Sequence, residues 1–384
     1  MKLVLLTNIL NPYRKAFYDE ISKQCKERGD SFHVLVMSAK EYNREWNYED
    51  YKGEYSILLK NKTFRIKHLP IYLNADLKKR LQELQPDIVV MAGGYMLPSV
   101  WKAVSLKKKL KYKTYFWSES HLDEQRDYDS AVLKVREWIR KKFYPQFDGF
   151  WYPGEKALEF IKKYANPDAK YYRIPNLIDN VHFQKAIEQN TCTKEELRDK
   201  YGLAQDKYVM FAPMRLHWVK GLEPFMEIVA KSKNKGRIQL AVAGNGELEE
   251  HLKKRAQELS VDLKLLGYHE EADIIELYQA ADCFFMSSLS DPSPLTCVEA
   301  LWCGLPLFVS EYVGNYPEVV EHGKNGYVYE YKQDDMAIKL LNNIVESDIA
   351  WRNNARKSSL HIAETTFECK HITKNLLDEM HNVK

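Results

Sequence analysis

No apolar run in the sequence approaches the roughly 18 residues that a membrane-crossing helix needs. The opening Met1-Lys2-Leu3-Val4-Leu5-Leu6-Thr7 is too short for the core of a signal peptide. Export and membrane spanning are therefore not expected. Cysteine is scarce, and Cys25, Cys192, Cys283, Cys297, Cys303 and Cys369 form neither a C-x-x-C pair nor zinc-finger spacing. They read as reduced, structural thiols of a cytoplasmic protein. Internal repeats and low-complexity tracts are also missing, which speaks against solenoids and propellers.

What is there suffices for a large core. The 384 residues are 45% hydrophobic and 29% charged, too apolar a mix for disorder. At about 150 residues per domain the length fits two or three domains. The net charge of +3 hides an asymmetry: residues 1–175 carry 33 basic against 22 acidic side chains, and residues 176–384 carry 24 against 32. A half at +11 beside a half at −8 suggests different partners, the first attracting anionic lipid or another polyanion. Ordinary solubilising charge is the plainer alternative.

Both halves alternate short β-branched runs with longer amphipathic stretches, which predicts parallel strands joined by helices in two doubly wound α/β units. Strands are expected at 2–7, 32–37, 87–91 and 113–117, then at 208–211, 239–243, 263–266, 283–286, 307–310 and 327–329. Helices are expected at 13–28, 73–85, 129–143, 222–232, 247–260, 274–280 and 297–303. Pro175 and the turn formers of 173–180, leading into the polar stretch 184–193, place the linker. Two such units on a short hinge imply a cleft for a small molecule.

Three segments carry chemistry. After the strand at 283–286 comes a loop with Asp291, then a helix starting near Thr296 with Glu299 one turn in. The unpaired amides and dipole of that helix start make an anion site near Leu295 and Thr296. Asp291 and Glu299 could grip different parts of one ligand, or merely cap a turn and satisfy the dipole. In Met214-Arg215-Leu216-His217-Trp218-Val219-Lys220-Gly221, directly after a strand, two cations could chelate a diphosphate, or be solvated surface charge. Gly244-Asn245-Gly246 either lets backbone approach a ligand or is a tight β-to-α turn; it lacks the longer dinucleotide fingerprint.

In their order, these segments resemble the GT-B retaining glycosyltransferases of family 4, also called glycosyl transferases group 1. So do Leu266-Gly267-Tyr268, Ala281-Asp282, Gly304-Leu305-Pro306, Gly314-Asn315-Tyr316-Pro317-Glu318 and Gly323-Lys324-Asn325-Gly326, over about 208–329. In the first half Asn11-Pro12-Tyr13-Arg14, Pro86-Asp87-Ile88-Val89 and Pro153-Gly154-Glu155-Lys156-Ala157 resemble elements of the family's acceptor domain, and Ile174-Pro175-Asn176 its linker. Asp291 stands where the family usually has Glu, Pro292-Ser293-Pro294 replaces a glycine-rich stretch, and Gly314-Asn315 replaces a double glycine.

The resemblance implies two Rossmann-like domains facing across a cleft: an acceptor-binding domain over 1–180 and a nucleotide-sugar-binding domain over 181–365. A C-terminal helix over 366–384 is expected to pack back toward the first domain. It implies that Arg215 and Lys220 hold the donor diphosphate, that Asp291 faces the sugar, that Glu299 binds the ribose, and that Tyr268 and His269 lie by the base. The expected reaction moves a sugar, with retention, from a nucleotide diphosphate sugar to a saccharide or lipid-linked acceptor, in polysaccharide or glycolipid assembly. The expected cofactor set is empty: no metal is called for, because Arg215, Lys220 and the helix start at Thr296 would stabilise the departing diphosphate.

Arg14, Glu119 and His121 are candidates on the acceptor side, and the lysines of 107–113 for peripheral contact with an anionic membrane. Nucleic acid is not an expected partner. Two other classes stay open, a non-catalytic nucleotide-sugar-binding protein and a sugar-nucleotide epimerase of the same fold.

Overall fold

The computed structural model describes residues 1–40, 46–66, 69–122 and 130–381. The chain divides into two compact units, Met1–Leu177 with Cys369–Lys384, and Ile178–Glu368.

The first unit runs β1 (Lys2–Thr7), α1 (Pro12–Glu27), β2 (Ser31–Val36), α2 (Tyr48–Tyr51), β3 (Ser56–Leu58), β4 (Asn61–Ile66), β5 (Leu69–Asn74), α3 (Leu77–Leu84), β6 (Ile88–Met91), α4 (Pro98–Leu110), β7 (Lys113–Trp117), α5 (Ser130–Phe143), β8 (Gly149–Tyr152), α6 (Glu155–Lys162) and β9 (Lys170–Arg173). Seven strands form a parallel sheet in the order β3-β2-β1-β6-β7-β8-β9, while β4 and β5 pair separately as an antiparallel hairpin. Leu3, Val4, Leu5 and Leu6 of β1 are all buried, as expected of a strand covered on both faces.

Two departures from expectation mark this unit. The helix expected from position 73 starts at Leu77, because Leu73 and Asn74 complete the β5 pairing with β4. The strands β3, β4, β5, β8 and β9 were not anticipated. In β8 the aromatic run Phe150, Trp151 and Tyr152 hides the alternation of a strand, and Gly149 opens it where a Cβ would lie 2.9 Å from Lys170 O. Asp129, expected at the start of α5, lies outside the described residues.

The second unit runs α7 (Asn180–Gln189), α8 (Lys194–Tyr201), β10 (Tyr208–Pro213), α9 (Leu222–Lys231), β11 (Ile238–Ala243), α10 (Glu249–Leu259), β12 (Asp262–Gly267), α11 (Glu271–Ala280), β13 (Cys283–Met286), α12 (Leu295–Trp302), β14 (Leu307–Ser310), α13 (Tyr316–Val319), β15 (Gly326–Tyr329), α14 (Asp334–Val345) and α15 (Ile349–Thr366). Its parallel sheet has the order β12-β11-β10-β13-β14-β15. The polar stretch read as continuing the linker is mostly the helix α7, tied to α11 where Gln279 Nε2 donates to Ile187 O at 3.3 Å.

The last helix, α16 (Cys369–His381), belongs to the first unit. It lies on α1, with Gln24 Nε2 donating to Lys370 O at 2.9 Å and Arg28 paired with Asp378 at 2.6 Å. Among the described residues no helix is long and apolar enough to cross a membrane.

Candidate functional site

In the second unit β10 and β13 are neighbours, with Met210 opposite Cys283 and Phe211 opposite Phe284. They flank the point where the strand order reverses, and loops at the carboxyl ends of such strands open a ligand crevice. The loop after β10 carries Arg215 and Lys220. The loop after β13 carries Asp291 and leads into α12, with Leu295 and Thr296 in its first turn and Glu299 one turn on.

Backbone contacts lock these loops together: Leu289 N donates to Val219 O at 2.8 Å, and Ser287 Oγ to Lys220 O at 2.7 Å. Gly221, at φ +63°, permits this, since a Cβ there would lie 2.1 Å from Ser287 O. The Lys220 ammonium reaches Asp291 Oδ2 at 2.5 Å, with side chains 17% and 15% exposed. The sequence treats these residues as separate contacts; the structure makes them an ion pair. Arg215 is exposed, and its side chain has no ion pair among the described residues.

The start of α12 leaves its first amides without a side-chain cap. Its N-cap is Pro294, which supplies no side-chain bond to the first amides, and the buried Thr296 Oγ1 lacks a partner. Asn315, for which the sequence suggested no role, holds this turn through Nδ2 donating to Pro294 O at 3.1 Å. Its Oδ1 is buried without a partner. Gly314 has no room for a side chain, since a Cβ would sit 2.0 Å from Pro292 O.

Glu299 accepts a bond from Tyr278 OH at 2.9 Å. Burial pushes its carboxyl up to about 7, against the pull of the Tyr278 hydroxyl, with a small further push from Glu271. Tyr278 escaped sequence reasoning because a tyrosine on the apolar face of a helix reads as core. It is buried on α11 and packs edge-on to Phe211 at 5.1 Å.

Gly244 has no room for a side chain. A Cβ there would lie 2.1 Å from Met214 O, and its N–H donates to Gly267 O at 2.6 Å, so the glycine serves the packing of three loops against one another. Beyond Gly267, Tyr268 is 68% exposed, whereas His269 is tied to Asp273 at 3.3 Å and lies edge-on to Tyr201. Asp282 is structural, binding Val209 N, Lys194 and Arg198 at 2.6–2.7 Å.

The first unit gathers its own candidates. Asn11 caps α1 by accepting from Arg14 N, which sets Arg14 over the Trp117 ring at 3.9 Å and against Glu119 Oε1 at 2.6 Å. Glu119 follows β7, and His121, two residues on, is buried. Nearby in sequence to α1, Asn8 Oδ1 is buried without a partner at the end of β1, facing Gly93 beyond β6. In the 107–113 cluster, Lys107 is drawn to Gln146 O at 2.6 Å.

Against known proteins, residues 193–359 match the family model described as glycosyl transferases group 1. The chain is 29% identical over 206 residues to an uncharacterized glycosyltransferase of Methanocaldococcus jannaschii, covering 52% of each chain. It is 22% identical over 347 residues to the alpha-monoglucosyldiacylglycerol synthase of Streptococcus pneumoniae, covering 85% of this chain and 73% of that one. The chain spans about half the length of most curated relatives it matches. Anabaena HepE, solved in complex with UDP-glucose, shares the fold over 100% of both chains, with a TM-score of 0.70 and 16% identity.

Proposed function

We propose, from the premise that residues 193–359 are a glycosyl transferases group 1 domain on a GT-B frame, that the protein moves a sugar from a nucleotide diphosphate sugar to an acceptor hydroxyl with retention at the anomeric carbon. The observation that carries this reading is the arrangement in the second unit: Arg215 without an ion pair among the described residues, the uncapped α12 start with the partnerless Thr296 hydroxyl, and the half-buried Glu299 carboxyl. The first two suit a diphosphate. Glu299, as a carboxylate, suits two ribose hydroxyls.

Bond breaking at the anomeric carbon leaves an electron pair and growing charge on the diphosphate. Arg215 and the amides of Leu295 and Thr296 would stabilise it as preorganised donors. Lys220 has three donors, so it can hold Asp291 and a phosphate oxygen together. That contact holds Asp291 in place, and in this reading Asp291 faces the donor sugar. Arg14 and Glu119 serve the acceptor. A lipid-linked or saccharide acceptor is favoured by likeness to a glycolipid synthase, and a uridine nucleotide by the UDP-glucose found with HepE.

Calorimetric titration with UDP, GDP and ADP, followed by product analysis on a panel of sugar nucleotides, tests the reading. Binding of one nucleoside diphosphate and a product of retained anomeric configuration are expected. Binding without product in the presence of varied acceptors would favour a non-catalytic binding protein, and an epimerised free sugar nucleotide would favour an epimerase.

A further inference from the structure

In most surface helices the arginine faces water and the tryptophan faces the core; in α5 the reverse holds. Arg140 is 2% exposed, with Nε and Nη1 unbonded and its guanidinium over Phe160 at 4.8 Å and Tyr95 at 5.6 Å. Val135 and Trp138, one turn apart, are 58% and 59% exposed, and Val132 is 45% exposed. At 100° per residue, Ala131, Val135, Trp138 and Lys142 share one outward line, with Val132 on one flank and Lys134 and Lys141 on the other. The Lys142 ammonium lies over the Trp138 ring at 4.1 Å.

Charge decides which partner fits. α5 carries Lys134, Arg136, Arg140, Lys141 and Lys142 against the single acid Glu137. Gln146, whose Nε2 donates to Lys142 O at 3.2 Å, also accepts from Lys107, so the lysine-rich end of α4 adjoins this face. Protein interfaces are depleted in lysine at their centres, whereas an interfacial helix combines an aromatic and aliphatic line with flanking lysines whose stems reach back to phosphates.

We propose that α5 is an interfacial anchor that lies in the surface of an anionic bilayer, with Val132, Val135 and Trp138 at the headgroup boundary and Lys134, Lys141 and Lys142 on lipid phosphates. This deepens the proposed function by putting the enzyme where a lipid-linked acceptor resides, and rests on that reading only for its purpose. It differs from purely electrostatic adsorption because part of the attachment survives salt.

The test is co-sedimentation of the full chain with phosphatidylglycerol–phosphatidylcholine vesicles and with pure phosphatidylcholine vesicles, at low salt and at roughly 0.5 M salt, where the Debye length is a few Å. Val135→Asn with Trp138→Asn is expected to lower partition by about tenfold at both salts, from loss of buried apolar area. Lys141→Gln with Lys142→Gln is expected to lower it at low salt and to leave the high-salt fraction unchanged. Quenching by bromine-labelled lipid should fall in Trp138→Phe.

Wild-type partition by the Val135→Asn/Trp138→Asn variant overturns the proposal, as does indifference of the wild-type chain to anionic lipid. So does a wild-type dimer in sedimentation velocity that the same variant dissolves. Nucleoside diphosphate titration of the same preparations separates the readings: a wild-type chain that binds nucleotide but no vesicle removes the anchor alone, and a variant that loses vesicles while still binding nucleotide supports it.

Discussion

Each unit places a cation against a carboxylate where its parallel strands end, but the two pairs stand in different electrostatic settings. In the first unit Arg14 is spent twice, on Glu119 at 2.6 Å and on the face of Trp117 at 3.9 Å. In the second unit Lys220 is likewise neutralised by Asp291, yet Arg215 stands free beside it and α12 offers uncapped amides. The first arrangement is close to neutral and suits hydroxyl groups of a sugar. The second keeps a surplus of positive potential, which suits a diphosphate that gains charge during reaction.

The sharpest way to break this comparison is to remove the surplus. Arg215→Ala is expected to lower kcat by about 10²–10³, the usual cost of one preorganised donor to a developing anion, while donor KM changes less. Lys220→Ala should also lower kcat more than it raises KM, and it leaves Asp291 without its cation. Transfer is expected to persist in excess EDTA. Loss of activity on chelation with recovery on adding Mg or Mn would mean that a metal carries the charge assigned to Arg215.

Glu299 sharpens the comparison through pH. The folded chain holds its proton up to about pH 7, whereas the ordinary value is 4.5. Its favourable contribution is therefore complete below about 4.5 and is lost as pH rises through 7. The loss is at most about 3 kcal/mol, because Glu299 is only half-buried and water screens part of its charge. Glu299→Gln should thus be as stable as wild type in thermal unfolding at pH 4.5 and more stable at pH 8.

The same substitution should weaken nucleotide binding by roughly 1.5–3 kcal/mol, the worth of hydrogen bonds to a charged acceptor. For wild type, affinity for a nucleotide sugar, whose phosphates do not titrate in this range, should fall by up to about tenfold per pH unit below 7. A flat pH profile together with unchanged affinity in Glu299→Gln would remove Glu299 from the ribose.

How far this was legible follows from what each residue needs around it. Arg215, Lys220, Asp291 and Glu299 stand at a strand end or on the adjoining helix start, so short-range order brings them into one region. The Lys220–Asp291 pair needed the parallel contact of β10 with β13, which no local pattern states. Tyr278 and Asn315 act through tertiary contacts on Glu299 and Pro294. In the first unit, aromatic residues in β8 and the separate β4–β5 hairpin blurred the alternation, and α7 was hidden by its polar surface.

The smallest effect expected concerns the neutral pair. Arg14 and Glu119 are 20% and 30% exposed in their side chains, so their coupling should be near 1 kcal/mol, the upper range for pairs reached by water. A double-mutant cycle with Arg14→Met and Glu119→Gln, read by denaturant unfolding, measures it. In kinetics the same variants should raise acceptor KM several-fold, about 1 kcal/mol, and leave donor affinity unchanged, because neither residue faces the diphosphate in this reading. If Arg14→Met instead weakened donor binding as much as Arg215→Ala, Arg14 would be a second phosphate ligand. The contrast drawn between a neutral and a cationic strand end would then fail.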